Sequence, residues 1–114
     1  MSERALQSAV FSFFGFALPD DAVAFSVPNG DGRMTTMPGT LPGFPDVGII
    51  YRARILLIEL KYKKGAVRLH QKHVHSRLTE AGAIVVVCRS VEEVEDFLLS
   101  QSIPLKASLK ARAA

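Results

Sequence analysis

Two apolar, β-branched runs that lie almost end to end constrain the fold of this chain more than any other feature. They cover residues 47–51 and 54–62, and only Arg52 and Ala53 separate them. A connection this short cannot carry the crossover that parallel strands need, so the two strands must pair antiparallel. The sequence therefore predicts a β-hairpin in the middle of the chain.

Three other segments have apolar residues at helical spacing. They cover residues 2–14, 67–81 and 90–100. We expect Gly15 and Pro19 to end the first helix, and Gly82 to form the left-handed C-terminal cap of the second. The apolar stripe that we predict for the second helix consists of Val67, His70, Val74, Leu78 and Ala81.

Two further apolar runs predict strands at residues 23–27 and 83–88. The second run is continuous and β-branched, so we expect it to be buried on both faces. It follows the third strand through a helix, which is the order of a parallel crossover. The complete order αβββαβα predicts an α/β fold, in which helices flank one mixed sheet of four strands.

The length of 114 residues suits one domain. We assign residues 1–100 to this domain and residues 101–114 to a basic C-terminal tail, which we expect to be mobile. The apolar residues 9–18 are too few to span a bilayer, and we expect no membrane partner. The single cysteine, Cys88, lies in an apolar run, so we predict a small core residue in a reducing compartment, the cytoplasm.

Basic side chains are concentrated in the middle of the chain. The net charge is only +3, but residues 52–77 contain eight of the 14 Lys and Arg residues, all three His and one acid, Glu59. One interpretation is a polyanionic partner such as a nucleic acid. The other is a solvated, charged helix face. Charge alone leaves both open.

Three charged side chains stand at the same end of the predicted hairpin. Asp46 begins the first strand, and Glu59 and Lys61 lie two residues apart near the end of the second. Glu59 and Lys61 therefore point to one face, and antiparallel pairing brings Asp46 beside them. An isolated E-x-K is otherwise an ordinary ion pair on a solvated strand. Because the preceding residues 55–58 are all apolar, charged side chains directly after them favour a functional role over an ordinary ion pair.

Phosphodiester hydrolysis is the chemistry that uses such a set. Two carboxylates hold Mg²⁺ or Mn²⁺, which prefer oxygen ligands, and the backbone carbonyl of Leu60 can complete the coordination. The metal lowers the pKa of a bound water and neutralises phosphoryl charge. A nearby lysine positions the water and stabilises the developing negative charge.

The ordered motifs resemble those of a known nuclease family. They are GFPDV at residues 43–47, IELK at residues 58–61, and Gln71. The set looks like the PD-(D/E)xK nuclease superfamily and, more narrowly, like the VRR-NUC family with its small stand-alone members from phages and bacteria. This resemblance implies a restriction-endonuclease-like core and a divalent-metal-dependent DNA endonuclease of a bacterial or phage-infected cell. It makes Asp46 and Glu59 metal ligands, Lys61 the catalytic lysine, and Gln71 a supporting catalytic residue.

Two more residues are candidates for the same site. Gln71 borders the apolar stripe of the second helix, where an amide can hold a metal-bound water or a phosphate oxygen; the alternative is an exposed glutamine. Glu3 extends the core-facing stripe of the first helix. Related nucleases often carry a glutamate there that joins the metal site, whereas the alternative is an acid favoured by the helix dipole.

Several polar residues are candidate DNA contacts. The Gly-rich loop of residues 29–33 allows a backbone to approach phosphate closely, as the resembling family implies. The predicted contacts are Asn29, Arg33, Lys63, Lys64, Arg68 and Lys72. Three histidines follow in the second helix, at spacings that do not match a zinc-binding helix. They line a phosphate-contacting face, or His70 packs in the core.

We therefore predict an endonuclease that reads no bases and prefers branched DNA such as four-way junctions. Two small domains related by a two-fold axis would suit such a substrate, so we expect a homodimer. Phe11, Phe14 and Phe16 either leave aromatic surface for that partner or close the core around the first helix. The alternatives are an inactive nucleic-acid-binding module and a nuclease subunit of a larger helicase or repair assembly.

Overall fold

The fold is seen in a computed structural model, which describes residues 2–28 and 38–109. Seven elements follow one another in the predicted order αβββαβα. They are α1 (Glu3–Ala17), β1 (Val23–Ser26), β2 (Val47–Tyr51), β3 (Arg54–Leu60), α2 (Leu69–Glu80), β4 (Ile84–Cys88) and α3 (Val91–Ser100). Every predicted helix and strand is present, with its ends shifted by at most three residues.

The four strands form one mixed sheet in the order β1-β2-β3-β4. The pairs β1–β2 and β2–β3 are antiparallel, and β3–β4 is parallel. This confirms both the predicted hairpin and the predicted crossover through α2. Within the hairpin, Val47 lies opposite Ile58 and Tyr51 opposite Arg54. The start of β2 and the end of β3 therefore meet at one edge of the sheet.

The main core lies between one face of the sheet and the helices α1 and α3. Alternate residues of β3 point into it, and Leu56, Ile58 and Leu60 are almost completely buried there. Residues Val10 of α1 and Leu98 of α3 close it from above. Glu59 points to the opposite face, toward α2. The end of β3, where the charged residues lie, is therefore packed between α1 and α3 on one face of the sheet and α2 on the other.

The first helix continues past Gly15, where the sequence analysis predicted its end. It reaches Ala17, and Ser2 caps its start by accepting a hydrogen bond from the N–H of Ala5 at 3.1 Å. Phe13 and Ala17 are buried on either side of Gly15. Apolar packing of this last turn outweighs the cost of a glycine in a helix, which is only about 1 kcal/mol relative to alanine.

The buried face of α2 differs from the predicted stripe at its edges. Gln71, Val74 and Leu78 face the protein, whereas His70 and Ala81 are exposed. The histidine that packs inward is His75, at 12% side-chain exposure, so the alternative in which His70 packs in the core is wrong. The prediction relied on apolar residues alone, whereas polar residues occupy half of the buried face.

The end of α2 and strand β4 test two further predictions. Gly82 has a φ of +110°, as predicted for a left-handed cap. The prediction that β4 is buried on both faces is wrong, because only Cys88 is buried and the other four residues are partly exposed. The strand forms an edge of the sheet, and α2 covers it incompletely.

The chain remains packed beyond α3. Ile103 belongs to the main core, and the N–H of Lys106 donates to the carbonyl of Ala17 at 2.7 Å. The N–H of Leu109 donates to Oε2 of the buried Glu95 at 2.8 Å. The predicted mobile tail from residue 101 is thus attached to the domain as far as Leu109, and residues 110–114 lie outside the described residues.

The phenylalanines of α1 pack mainly against one another. Phe14 is buried, and its ring lies edge-on to that of Phe11 with centroids 5.3 Å apart. Phe16 meets Phe13 in the same way at 5.5 Å. Both Phe11 and Phe16 are partly buried against the core. Of the two alternatives in the sequence analysis, these rings therefore close the core.

Within residues 2–28 and 38–109, no helix is long and apolar enough to cross a membrane.

Candidate active site

Asp46 is held at the start of β2 by hydrogen bonds on two sides. The N–H of Val27 donates to its backbone carbonyl, and the N–H of Leu60 donates to its Oδ2, both at 2.8 Å. The preceding loop lies close to α2 because Gly43 adopts a φ of +89°, and a Cβ there would come within 3.1 Å of His70. The carboxylate is thereby fixed next to the end of β3.

Glu59 and Lys61 share a face of the strand end, as predicted. The carboxylate of Glu59 is 2% exposed, the side chain of Lys61 is 11% exposed, and Nζ lies 3.6 Å from Oε2. A solvated ion pair on a strand surface would be open to water on most sides, and this pair is not. The ordinary surface ion pair considered in the sequence analysis is therefore wrong.

The electrostatics of this group are unusual for a carboxyl. Burial first, and then the charge and hydrogen bond of Asp46, together raise the pKa of Glu59 to about 8, although Lys61 opposes the shift. The buried Glu59 and the partly exposed Asp46 thus lie beside a single ammonium, that of Lys61. Such a site gains from a second positive charge.

Gln71 contacts the site with one end of its amide. Its Oε1 accepts a hydrogen bond from the N–H of Arg68 at 2.9 Å, at the start of α2. This contact turns Nε2 toward the sheet, where it donates to Oε2 of Glu59 at 3.3 Å. The exposed-glutamine alternative is thus wrong, and the amide supports the carboxylate as well as the helix end.

His75 also faces Glu59, although it was not among the residues predicted for the site. Its Nε2 lies 3.9 Å from Oε1 of Glu59. Burial lowers the pKa of the imidazole and Lys61 adds to this effect, while the charge of Asp46 opposes it. The available signal was its spacing of four from Gln71, which places both residues on one helix face.

Glu3 borders the site from α1. It lines a cleft of about 340 Å³ whose other walls include Asp46 and Leu60. A Cβ placed on Gly65 would be 3.5 Å from Oε2 of Glu3 and 3.6 Å from Cδ of Lys61. Glu3 is exposed, so it stands at the rim of the site rather than inside it.

The predicted DNA contacts that the structure describes are all exposed near this edge. They are Lys63, Lys64, Arg68 and Lys72. The first two lie in the turn after Lys61, which Arg89 stabilises by donating from Nη1 to the carbonyls of Lys63 and Gly65 at 2.9 and 2.6 Å. The remaining candidates, Asn29 and Arg33, lie outside the described residues.

The donor set at this edge fits a hard divalent cation. Within the described part of the chain, no three His, Cys, Asp or Glu side chains cluster as a ready-made metal site. Magnesium, however, is commonly bound by only one or two carboxylates, with water and substrate phosphate completing its shell. Asp46 and Glu59 are such a pair, and the buried Oε1 of Glu59 has no hydrogen-bond partner among the described residues. Residues Asp46, Glu59 and the carbonyl of Leu60 are the groups that would hold the ion.

Comparisons with known proteins support the fold. No protein-family model and no curated protein matches the chain. Among solved structures, one described as a "VRR_NUC domain protein" superposes with a TM-score of 0.69 at 21% identity, covering 87% of this chain and 86% of that one. Another, described as "VRR_NUC domain", gives 0.60 at 23% identity, covering 88% and 97%. The chain therefore has the fold of the VRR_NUC domain, as the resemblance in its sequence predicted.

Proposed function

We propose that this chain is a divalent-metal-dependent DNA endonuclease whose site is formed by Asp46, Glu59, Lys61 and Gln71. The observation that carries the proposal is the buried Glu59 carboxyl, with Asp46 beside it and Nζ of Lys61 at 3.6 Å. Two carboxylates and one ammonium at the edge of an apolar sheet are not needed for stability, because hydrophobic residues would stabilise the fold better at these positions. The fold it shares with VRR_NUC domains supports the same function.

The protein's own residues have separate tasks in this proposal. When bound, Mg²⁺ or Mn²⁺ supplies a water of lowered pKa and positive charge at the phosphate. Asp46 is fixed by the N–H of Leu60, so its carboxylate is oriented before the ion arrives. Lys61 faces the same space and stabilises negative charge that develops on the phosphoryl oxygens. Gln71 holds Glu59 in place through Oε2.

A plasmid-nicking assay tests this function. We expect cleavage with Mg²⁺ or Mn²⁺, none with EDTA, and none by Asp46→Asn or Glu59→Gln, because each variant loses a charged oxygen ligand. Asp21→Asn is the matched control, since Asp21 is an exposed carboxylate that pairs with Arg52 at the other end of the hairpin. Full activity of either site variant would disprove the assignment. DNA binding by a wild-type protein that never cleaves would favour an inactive binding module instead.

The preferred substrate in this proposal is branched DNA, cleaved by a homodimer. A single small domain offers less surface than the roughly 1,000 Å² of a typical specific DNA interface, and a two-fold pair would double it. We expect light scattering to give a dimer at micromolar concentration, and a panel of linear, flapped and four-way DNA to show preference for the junction. A monomer that cleaves all three equally would contradict both parts.

A further inference from the structure

Two buried polar atoms face each other on the side of Glu59 that is turned toward α2. They are Oε1 of Glu59 and Nε2 of His75, separated by 3.9 Å. Neither has a hydrogen-bond partner within residues 2–28 and 38–109. Both side chains are at least 88% buried, because their exposures are 2% and 12%. Polar atoms buried in this way are costly unless paired, so their opposition calls for an explanation.

The neighbouring turn of the same helix supplies the other half of the arrangement. Gln71 and His75 are four residues apart and therefore lie on one face of α2. Gln71 donates from Nε2 to Oε2 of Glu59 at 3.3 Å. One face of the helix thus presents one nitrogen to each oxygen of the same carboxylate.

We propose that His75 is a positioning residue of the nuclease site, which acts with Gln71 to hold the two oxygens of Glu59 from α2. A small side-chain movement closes the 3.9 Å gap to a hydrogen bond. With both oxygens guided, the carboxylate of Glu59 would be held in one orientation beside Asp46, where the two residues would bind the ion. This role rests on the proposed function, because it has a purpose only if Glu59 is a ligand.

A positioning role and a simple space-filling role predict different results for one substitution. His75→Leu keeps most of the volume and removes a buried, unpartnered nitrogen, so the fold should be no less stable. The carboxylate of Glu59 would nevertheless lose one of its two guides. A residue that only fills space would leave the metal affinity unchanged, whereas a positioning residue would not.

The experiment measures Mn²⁺ affinity of the free protein by calorimetry, and kcat and KM on DNA. We expect His75→Leu to weaken Mn²⁺ binding and to lower kcat by about 10- to 100-fold, which is typical when a residue that orients a ligand is removed. KM, DNA affinity in EDTA and Tm should stay near wild type. His75→Gln should restore most of the loss, because its amide nitrogen can reach the position of Nε2. Ser76→Leu, at the exposed neighbouring position, is the control and should change nothing.

Two results would overturn the proposal. One is wild-type Mn²⁺ affinity and kcat in His75→Leu, and the other is a folded His75→Gln that is as impaired as His75→Leu. If His75→Leu does not fold, His75→Asn is compared with His75→Gln, because the shorter amide cannot reach Glu59; equal values would overturn the role. A wild-type protein that neither binds Mn²⁺ nor cleaves DNA would instead refute the proposed function, and this is seen before any variant is measured.

Discussion

Glu59 illustrates how one buried residue couples folding to the chemistry of the site. Its carboxyl is surrounded by apolar strand residues on one side and by Asp46, Lys61, Gln71 and His75 on the other. In these surroundings the protonated carboxyl costs less free energy than an unpaired carboxylate would. A divalent cation bound by Asp46 and Glu59 would reverse this preference, because it would replace the proton as the partner of both carboxylates.

This residue gives the metal-free protein a pH-dependent stability. The pKa of Glu59 is about 8 in the folded chain against 4.5 for the free group, so from about pH 7 to about 8 the folded state keeps a proton that the unfolded state has lost. Stability should therefore fall as pH rises, by at most about 1.4 kcal/mol per pH unit. His75, whose pKa is lowered below 6.5, has the opposite effect only at lower pH.

Thermal unfolding in EDTA at several pH values checks this expectation. The wild-type Tm should decline across this interval, and the decline should be largely absent in Glu59→Gln, which does not titrate. A wild-type Tm that does not decline from pH 7 to 8 would show that the carboxyl is already ionised in the folded state.

Lys61 should act on the reaction rather than on DNA binding. Lys61→Ala removes an ammonium that is held 3.6 Å from Glu59 and is largely shielded from water. We expect kcat to fall by roughly 10²-fold or more, with little change in DNA affinity, because the interaction strengthens only in the transition state. Lys106→Ala is the control, since this exposed lysine pairs with Asp20 at 2.7 Å. Loss of affinity with unchanged turnover on bound DNA would make Lys61 a phosphate anchor instead.

At the scale of elements, two glycines differ in the space that is available for a side chain. Gly15 lies inside α1, and no heavy atom among the described residues is within 4 Å of a Cβ built on it. Gly48 lies in β2, where a Cβ would clash with Cζ of Phe25. The aromatic ring of β1 thus packs directly on the backbone of β2.

These two positions should respond in opposite directions to alanine. Gly15→Ala should stabilise the protein by up to about 1 kcal/mol, because alanine is the better helix former. Gly48→Ala should destabilise it by about 1–3 kcal/mol, because the ring of Phe25 must move away. Urea unfolding midpoints of both variants provide the measurement. If both variants shift in the same direction, one of these local descriptions is incorrect.

At the scale of the molecule, charge is distributed unevenly over the surface. The exposed Lys63, Lys64, Arg68 and Lys72 follow the site residues, whereas Arg52 at the far end of the hairpin is paired with Asp21. A nuclease that reads phosphate rather than bases would use the first group and not the second. The net charge of +3 is too small to attract DNA by itself.

DNA affinity measured against salt concentration tests this distribution. Each of Lys63→Ala, Lys64→Ala, Arg68→Ala and Lys72→Ala should weaken binding and reduce the slope of log affinity against log salt by about 1 for each lost phosphate contact. Arg52→Ala should leave the slope unchanged. Equal effects at all five positions would point to non-specific attraction by the whole surface.

Most of the secondary structure was predictable because it depends on neighbours in the sequence. The two-residue break between β2 and β3 required an antiparallel hairpin, and the hairpin in turn placed Asp46 next to Glu59 and Lys61. Gly82 marked the end of α2 for a similarly local reason, since few other residues adopt its φ of +110°. The resemblance of the PD and E-x-K motifs to nucleases then gave the fold that the solved structures support.

Contacts between distant elements were decided only by the tertiary structure. Periodicity did not determine which face of α2 meets the sheet, because its buried side combines Val74 with the polar Gln71 and His75. The continuation of α1 past Gly15 and the partial exposure of β4 likewise depend on what packs against them. Sequence alone determined which residues stand at the end of the hairpin, because strand pairing and side-chain alternation are local rules. The burial that raises the pKa of Glu59 and opposes His75 to it arises only when the sheet and α2 come together.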